Sequence, residues 1–231
     1  MSDRAPAVEQ PIQLGRRVVA EAVGTALLLA VVVGSGIMAQ GLFPDSVGLA
    51  LLANALATGA ALVALILTFG GISGANFNPV VTIFDAASGG RPWREVPPYV
   101  VAQTIGGVGG VLATHVMFDI KVLEVSERVR AGVPLMFSEL IATFGLIAVI
   151  WGVGKKHPTA VAYAVGGYIT AAYWFTPSTS FANPAVTIAR MLTNTFAGIR
   201  PDDAPGFIAA QIVGAACAAA LMRWLQTEAH R

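Results

Sequence analysis

Charged side chains are scarce in this 231-residue chain, where 14 Lys and Arg and 13 Asp and Glu make up 12% of the sequence, about half the share of an ordinary soluble domain. The formal net charge of +1 leaves no basic face of the kind a nucleic-acid partner requires. The single cysteine, Cys217, sits in a run of small residues with Ala215, Ala216 and Ala218, so neither a disulfide framework nor a cysteine zinc site can be built. Three scattered histidines, His115, His157 and His230, form no metal-ligand cluster and no pair with a serine nucleophile. No metal, no cofactor and no catalytic residue is expected, and the chain does not read as an enzyme. Low-complexity segments and a soluble domain are lacking too. What is abundant is apolar surface: 55% hydrophobic residues, 25 glycines, four spread tryptophans and a mean hydropathy of +0.70. This is the composition of a polytopic helical membrane protein.

A span needs about 20 mainly apolar residues, and six stretches are free of Asp, Glu, Lys and Arg: 22–44, 46–84, 96–118, 140–154, 157–189 and 204–222. The fourth becomes long enough if it extends back through Glu139 to Ala131. The second and fifth are too long for one span and too short for two. Each holds an Asn-Pro step, Asn78-Pro79 and Asn183-Pro184. Proline suits the first turn of a helix and not its middle, so each stretch reads as one full span followed by a short helix starting at the Asn-Pro. That second helix is expected to run about ten residues, or about 15 Å, half of a membrane. Non-helical backbone at membrane depth survives only when buried in protein or lining a wet cavity. Residues 71–77 and 177–182 are therefore expected to be re-entrant loops beside water. The apolar run from Val18 to Leu42 behind Arg16-Arg17 exceeds a signal-peptide core and reads as a retained first span with a basic anchor.

The two halves repeat. Glu21-x-x-x-Thr25 matches Glu139-x-x-x-Thr143, Ala102-Gln103-x-x-Gly106 matches Ala210-Gln211-x-x-Gly214, and Asn78-Pro79-Val80-Val81-Thr82 matches Asn183-Pro184-Ala185-Val186-Thr187 at four of five positions. Three full spans per repeat, 16–118 and 134–225, make the second enter from the opposite side, as in inverted-repeat transport proteins with broken helices at the midplane. The whole of 1–225 is expected to form one channel-like domain, with 226–231 a short tail. A cytoplasmic N-terminus places nine basic residues inside and five outside, the sense of the positive-inside rule. Both termini are then cytoplasmic in a bacterial inner membrane.

Helix N-termini carry about half a positive charge and unpaired N–H groups. Two of them meeting at the midplane would repel cations and hydronium, while Asn78 and Asn183 offer amide donors and the loop carbonyls of Gly74, Ala75, Asn76, Ser180, Phe181 and Ala182 offer acceptors. A plain helix cap is the ordinary reading of one Asn before Pro; the repeated pair favours a pore. With Ser73-Gly74-Ala75-Asn76-Phe77 preceding the first box, the chain resembles the major intrinsic protein family of aquaporins and aquaglyceroporins over about Arg16 to Leu225. The resemblance implies an all-α membrane fold of six tilted helices and two half-helices, one pore per subunit in the lipid bilayer, and a homotetramer. It assigns Asn78, Pro79, Val80, Asn183, Pro184 and Ala185 to the pore midplane. It also implies that Glu21 and Glu139 accept hydrogen bonds from the re-entrant backbone, with Gln103 and Gln211 as similar polar struts. Gly106-x-x-x-Gly110 and Gly166-Gly167 read as close helix contacts.

The chain departs from the family at the outer filter. The usual arginine three residues after the second Asn is Val186 here, and Arg190, seven residues after Asn183, is expected to face the helix C-terminus and lipid headgroups. Asp85 is expected to pair with Arg91 or Arg94. Family spacing places the remaining filter positions at Thr58, Ala171 and Ser180: wide, uncharged and mildly polar unless Phe181, Phe175 or Trp174 refill it. An open filter without arginine resembles the arsenic-resistance-associated bacterial aquaporins, whose suggested cargo is neutral arsenite or methylated trivalent arsenicals. The leading function is a passive channel for small neutral solutes: water, glycerol- or urea-like molecules, and such arsenicals. The alternatives are a proton-coupled transporter using Glu21 or Glu139 and a non-conducting membrane scaffold. Val80, in place of the usual alanine, is expected to pack against neighbouring helices.

Overall fold

A computed structural model describes residues 12–226, which form an all-helical chain. The elements run α1 (Leu14–Leu42), α2 (Val47–Ser73), α3 (Pro79–Ala87), α4 (Val96–Met117), α5 (Val133–Lys156), α6 (Val161–Phe175), α7 (Pro184–Arg190) and α8 (Ala204–Gln226). Of the expected tail, Gln226 still belongs to α8 and 227–231 lie outside the described residues. Five helices, α1, α2, α4, α5 and α8, are long and apolar enough to cross a membrane. The remaining full-length element, α6, has 15 residues, about 23 Å; the 3-10 turn Pro158–Ala160 lengthens it to about 28 Å, still close to the hydrocarbon thickness.

Both short helices begin where the prolines require. Pro79 and Pro184 each occupy a first-turn position behind an Asn cap, where a missing N–H leaves no intrahelical bond unmade. They are shorter than expected, nine residues for α3 and seven for α7. At the end of α7 the chain is diverted, because Ile199 N donates to the Arg190 carbonyl (3.2 Å) and Ser126 N to that of Met191 (2.8 Å). The first re-entrant loop is also tighter than read from sequence. Residues 71–73 stay in α2, which ends only at Gly74 with a left-handed φ of 89°.

The bundle packs as two matched halves. In lipid there is no hydrophobic force between helices, so close van der Waals approach must hold them. Glycines supply it at equivalent places. On α4, a Cβ at Gly106 or Gly110 would collide with the Ala22 or Ala26 carbonyl of α1, and on α8 a Cβ at Gly214 would collide with the Leu140 carbonyl of α5. Gly59 of α2 and Gly166 of α6 face each other in the same way, whereas Gly167 faces open space and takes no part. Leu27, Leu56, Val101, Ile105, Phe137 and Ile212 lie exposed on the outside of the bundle, an apolar surface suited to acyl chains. The two half-helices touch each other and are gripped by α4 and α8.

Gly106→Ala is expected to destabilise the detergent-solubilised protein by about 1–3 kcal/mol, the usual cost of overpacking. Gly109→Ala, three residues along the same helix where nothing lies within 4 Å of the added carbon, is expected to leave the thermal midpoint unchanged or raised. Thermal unfolding of the two variants side by side checks this.

Candidate functional site

The two re-entrant loops have one unusual backbone in common. Ala75 (φ 49°) and Phe77 (φ 50°) in the first, and Ser180 (φ 50°) and Ala182 (φ 48°) in the second, are all left-handed without being glycine. They stand at the same offsets before Asn78 and Asn183. Each such residue costs about 1–3 kcal/mol and persists only if its surroundings over-determine it. Here a buried carboxylate does so. Alternating left- and right-handed residues aim successive N–H groups at one point, a nest for an anion. Glu21 fills the first nest, accepting from Asn76 N (2.9 Å), Phe77 N (2.7 Å) and the Ser73 hydroxyl (2.6 Å). Glu139 fills the second, accepting from Phe181 N (2.9 Å) and Ala182 N (2.8 Å). Both glutamates are wholly buried.

The glutamines complete each nest. Gln103 Nε2 donates to Glu21 (2.7 Å) and to Thr82 Oγ1 (2.9 Å); Gln211 Nε2 donates to Glu139 (2.7 Å) and to Thr187 Oγ1 (3.0 Å). Each threonine hydroxyl in turn donates to the carbonyl of its Asn. Thr25 and Thr143, the other half of the repeated Glu-x-x-x-Thr motif, do not reach the carboxylates but bond the Glu21 and Glu139 carbonyls one turn back (2.7 and 2.8 Å). With the loop N–H groups turned to the glutamates, the carbonyls of Gly74, Ala75, Asn76, Ser180 and Phe181 receive no hydrogen bond from the described chain.

The two Asn-Pro boxes are exchanged across the midplane. Asn78 Nδ2 donates to the Ala182 carbonyl and Asn183 Nδ2 to the Phe77 carbonyl, both at 2.8 Å. Each Oδ1 meanwhile caps its own helix, accepting from Val80 N (3.1 Å) or from Ala185 N (3.0 Å) and Val186 N (3.3 Å). The cap and the midplane donor are thus the same side chain. An amide has two N–H donors, so one remains on each Asn.

A cavity of about 120 Å³ runs past both Asn side chains. Its wall is mostly apolar, lined by Leu28, Val32, Leu62, Leu146 and Val165 together with the loop residues 74–78 and 180–183. Pro79, Val80, Pro184 and Ala185 are buried behind it and do not line it; the Val80 methyls pack into the apolar core. Neither Glu21 nor Glu139 reaches the cavity. Asp85 takes Arg91 as its partner (Nε to Oδ2, 2.6 Å).

Of the four residues placed at the filter by spacing, Thr58, Ser180 and Val186 line the cavity and Ala171 does not. Ala171 is exposed on the far side of α6. The face of α6 that meets the cavity carries Val161, Val165, Ile169 and Tyr173, each four residues apart, and Ala171 is about 200° round the helix from Ile169. Tyr173 fills space that the sequence reading left open, its hydroxyl 3.2 Å from Thr58 Oγ1. Trp174 and Phe175 point outwards, half exposed, and refill nothing. Phe181 is buried at the cavity wall, edge-on to Phe207. Arg190 overturns its expected place: at 2% exposure it meets no headgroup, and it lines the cavity. The four-residue stripe on α6 was the signal for Tyr173; Arg190 lies one turn beyond Val186 on the same face of α7.

Full helices enclosing two half-helices whose N-termini face each other beside a cavity define a membrane channel. The major intrinsic protein family model matches residues 9–161 and 154–231, and the chain belongs to that family. It is a membrane channel for small solutes and not an enzyme. Over 216 residues it is 55% identical to aquaglyceroporin AqpS of Rhizobium meliloti, covering 94% of this chain and 92% of that one. It is 34% identical over 184 residues to the probable aquaporin AqpM of Archaeoglobus fulgidus, covering 73% and 74%. The aquaglyceroporin structure from Plasmodium falciparum superposes with a TM-score of 0.70 over 90% of this chain and 95% of that one, at 21% identity. That likeness carries the fold.

Glu139→Gln is expected to unfold at a temperature about 5 °C or more below the parent. It removes the charge from hydrogen bonds worth about 1.5–3 kcal/mol each and turns an amide donor towards the Phe181 or Ala182 N–H. Glu139→Ala is expected to fall further. Scanning fluorimetry in detergent gives the order.

Proposed function

We infer that the chain conducts small neutral solutes passively: water, glycerol- and urea-sized molecules, and neutral arsenite or methylated trivalent arsenicals. The observation that carries this is the pairing of Asn78 and Asn183 on one otherwise apolar cavity. Each keeps a free amide N–H, beside the carbonyls of Gly74, Ala75, Asn76, Ser180 and Phe181, which accept nothing from the described residues. A hydroxylated solute exchanges its water for donors and acceptors along one wall and meets hydrocarbon on the other. The facing helix N-termini put positive potential at the same point, which disfavours cations and hydronium. Thr58, Ser180 and Val186, with Tyr173 in place of Ala171, form the constriction on the α7 side. Val186 where the family has arginine supports the arsenicals, since that position itself carries only a small apolar side chain.

A coupled transporter using Glu21 or Glu139 has less support. Both carboxylates lie off the cavity, and their donors are backbone amides, a serine hydroxyl and glutamine amides. Among the described residues no titratable side chain hydrogen-bonds either carboxylate. The channel works as a homotetramer in the bacterial inner membrane, both termini cytoplasmic, in line with the excess of basic residues on that side.

Stopped-flow measurements on proteoliposomes with water, glycerol, urea and arsenite in parallel test the reading. Flux set by the solute gradient alone supports it, and uptake that requires a proton gradient overturns it. Asn183→Asp is expected to cut neutral-solute flux about tenfold or more. The carboxylate keeps the helix cap but loses the donor to Phe77 O and cancels the dipole potential, and cations are expected to enter, seen as potassium leak at fixed membrane potential.

A further inference from the structure

The face of α7 towards the cavity carries Asn183, Val186 and Arg190 in turn. Helical side chains lean back towards the N-terminus over the preceding turn, so the guanidinium of Arg190 returns towards the level of Val186. Two contacts hold it, and its remaining donors are open. Its Nε donates to the Ala197 carbonyl. Its guanidinium carbon lies 3.3 Å from the centre of the Phe181 ring, a stacked cation on an aromatic face. No carboxylate pairs with it, and among the described residues Nη1 and Nη2 make no hydrogen bond. A guanidinium cannot be deprotonated at physiological pH, so a side chain with 2% exposure holds a fixed charge whose free donors have the cavity as outlet. Ser180 also lines this cavity, with its Oγ buried and without a hydrogen-bond partner among the described residues.

A second arginine steadies the ring. Arg130, in the segment between α4 and α5, donates to the carbonyls of Gly198 (2.8 Å), Ser178 (3.1 Å) and Phe196 (3.4 Å) and lies 4.9 Å from the Phe181 centre. Unlike Arg190, it donates from each of its three guanidinium nitrogens and does not line the cavity. Burial, and after it the nearby Arg190 charge, push Arg130 well below the usual arginine range. It is a positioning residue for Phe181.

We propose that Arg190, reaching back over Val186 and laid on Phe181, is the cationic specificity-determining residue of this channel, donating to the oxygens of neutral hydroxylated solutes and repelling cations. The position that carries arginine in the family is empty of charge, and the charge is delivered from one turn further along the same helix. This rests on the channel reading above.

The test uses the full-length protein in liposomes: wild type, Arg190→Gln, Arg190→Lys and the double variant Val186→Arg/Arg190→Gln. Water flux, glycerol flux, and proton and potassium leak at fixed potential are measured for each. Wild type is expected to pass glycerol and hold back both cations. Arg190→Gln is expected to leak cations about tenfold faster and to change its glycerol-to-water ratio, and the double variant to regain tightness. Arg190→Lys keeps the charge and loses the planar fork, so it is expected to stay tight while its ratio shifts about threefold or more. An Arg190→Gln channel that conducts water yet is as tight as wild type overturns the proposal. If that variant does not assemble, an Arg190→Lys channel with the wild-type ratio overturns it instead. Wild type that passes no solute would defeat the channel reading itself, which separates the two failures.

Discussion

The structure depends on two carboxylates buried away from water. An ionised glutamate inside a span is expensive unless fully partnered, and the strained loops before Asn78 and Asn183 are equally costly unless their amides are taken. Each problem answers the other. The loops bend through left-handed residues at 75 and 77, and at 180 and 182, because that geometry converges N–H groups on Glu21 and Glu139. The buried carboxylate oxygens find hydrogen-bond donors because those groups are there. Everything at the cavity follows from this pairing: the loop carbonyls are left over for solute, and the short helices are held with their N-termini face to face.

The second level of order is the exchange between halves. Each Asn side chain caps its own helix and donates to the other loop, so neither half-helix is placed without its counterpart. A motif that looks local is in fact completed by the other end of the chain, and duplication provides the complement. The glycines that let α1 meet α4, and α5 meet α8, by their backbones are what bring the halves near enough for that exchange.

Charge is arranged asymmetrically around this symmetric frame. At the far ends of the half-helices, where the dipole is negative, Arg223 donates to the Ala87 carbonyl behind α3, on the surface of the bundle. Arg190 at the end of α7 is instead folded inwards against Phe181. Equivalent dipole positions therefore serve different purposes: one arginine closes a helix end, and the other brings its charge to the channel wall.

From sequence alone came the number of crossings, the two half-helices and the Glu, Asn and Gln pairs. These are set by charge-free length, by proline's missing N–H and by an internal repeat, all of which are one-dimensional. Pro79, Val80, Pro184 and Ala185, which the resemblance assigned to the midplane, do not line the cavity. The left-handed residues were not legible, since nothing in the names Ala75, Phe77, Ser180 or Ala182 demands a positive φ; the carboxylates impose it through hydrogen bonds that reach 42 to 56 residues along the chain. Counting back from Asn183 to Ala171 also failed. Position along a chain fixes the face of a helix only when the loop between is known, and the loop after α6 turns Tyr173 to the cavity and Ala171 to the outside. Arg190 was visible as a residue, but whether its long side chain runs out to lipid or back into the channel depends on the Ala197 carbonyl and the Phe181 ring, partners that only the tertiary fold brings beside it.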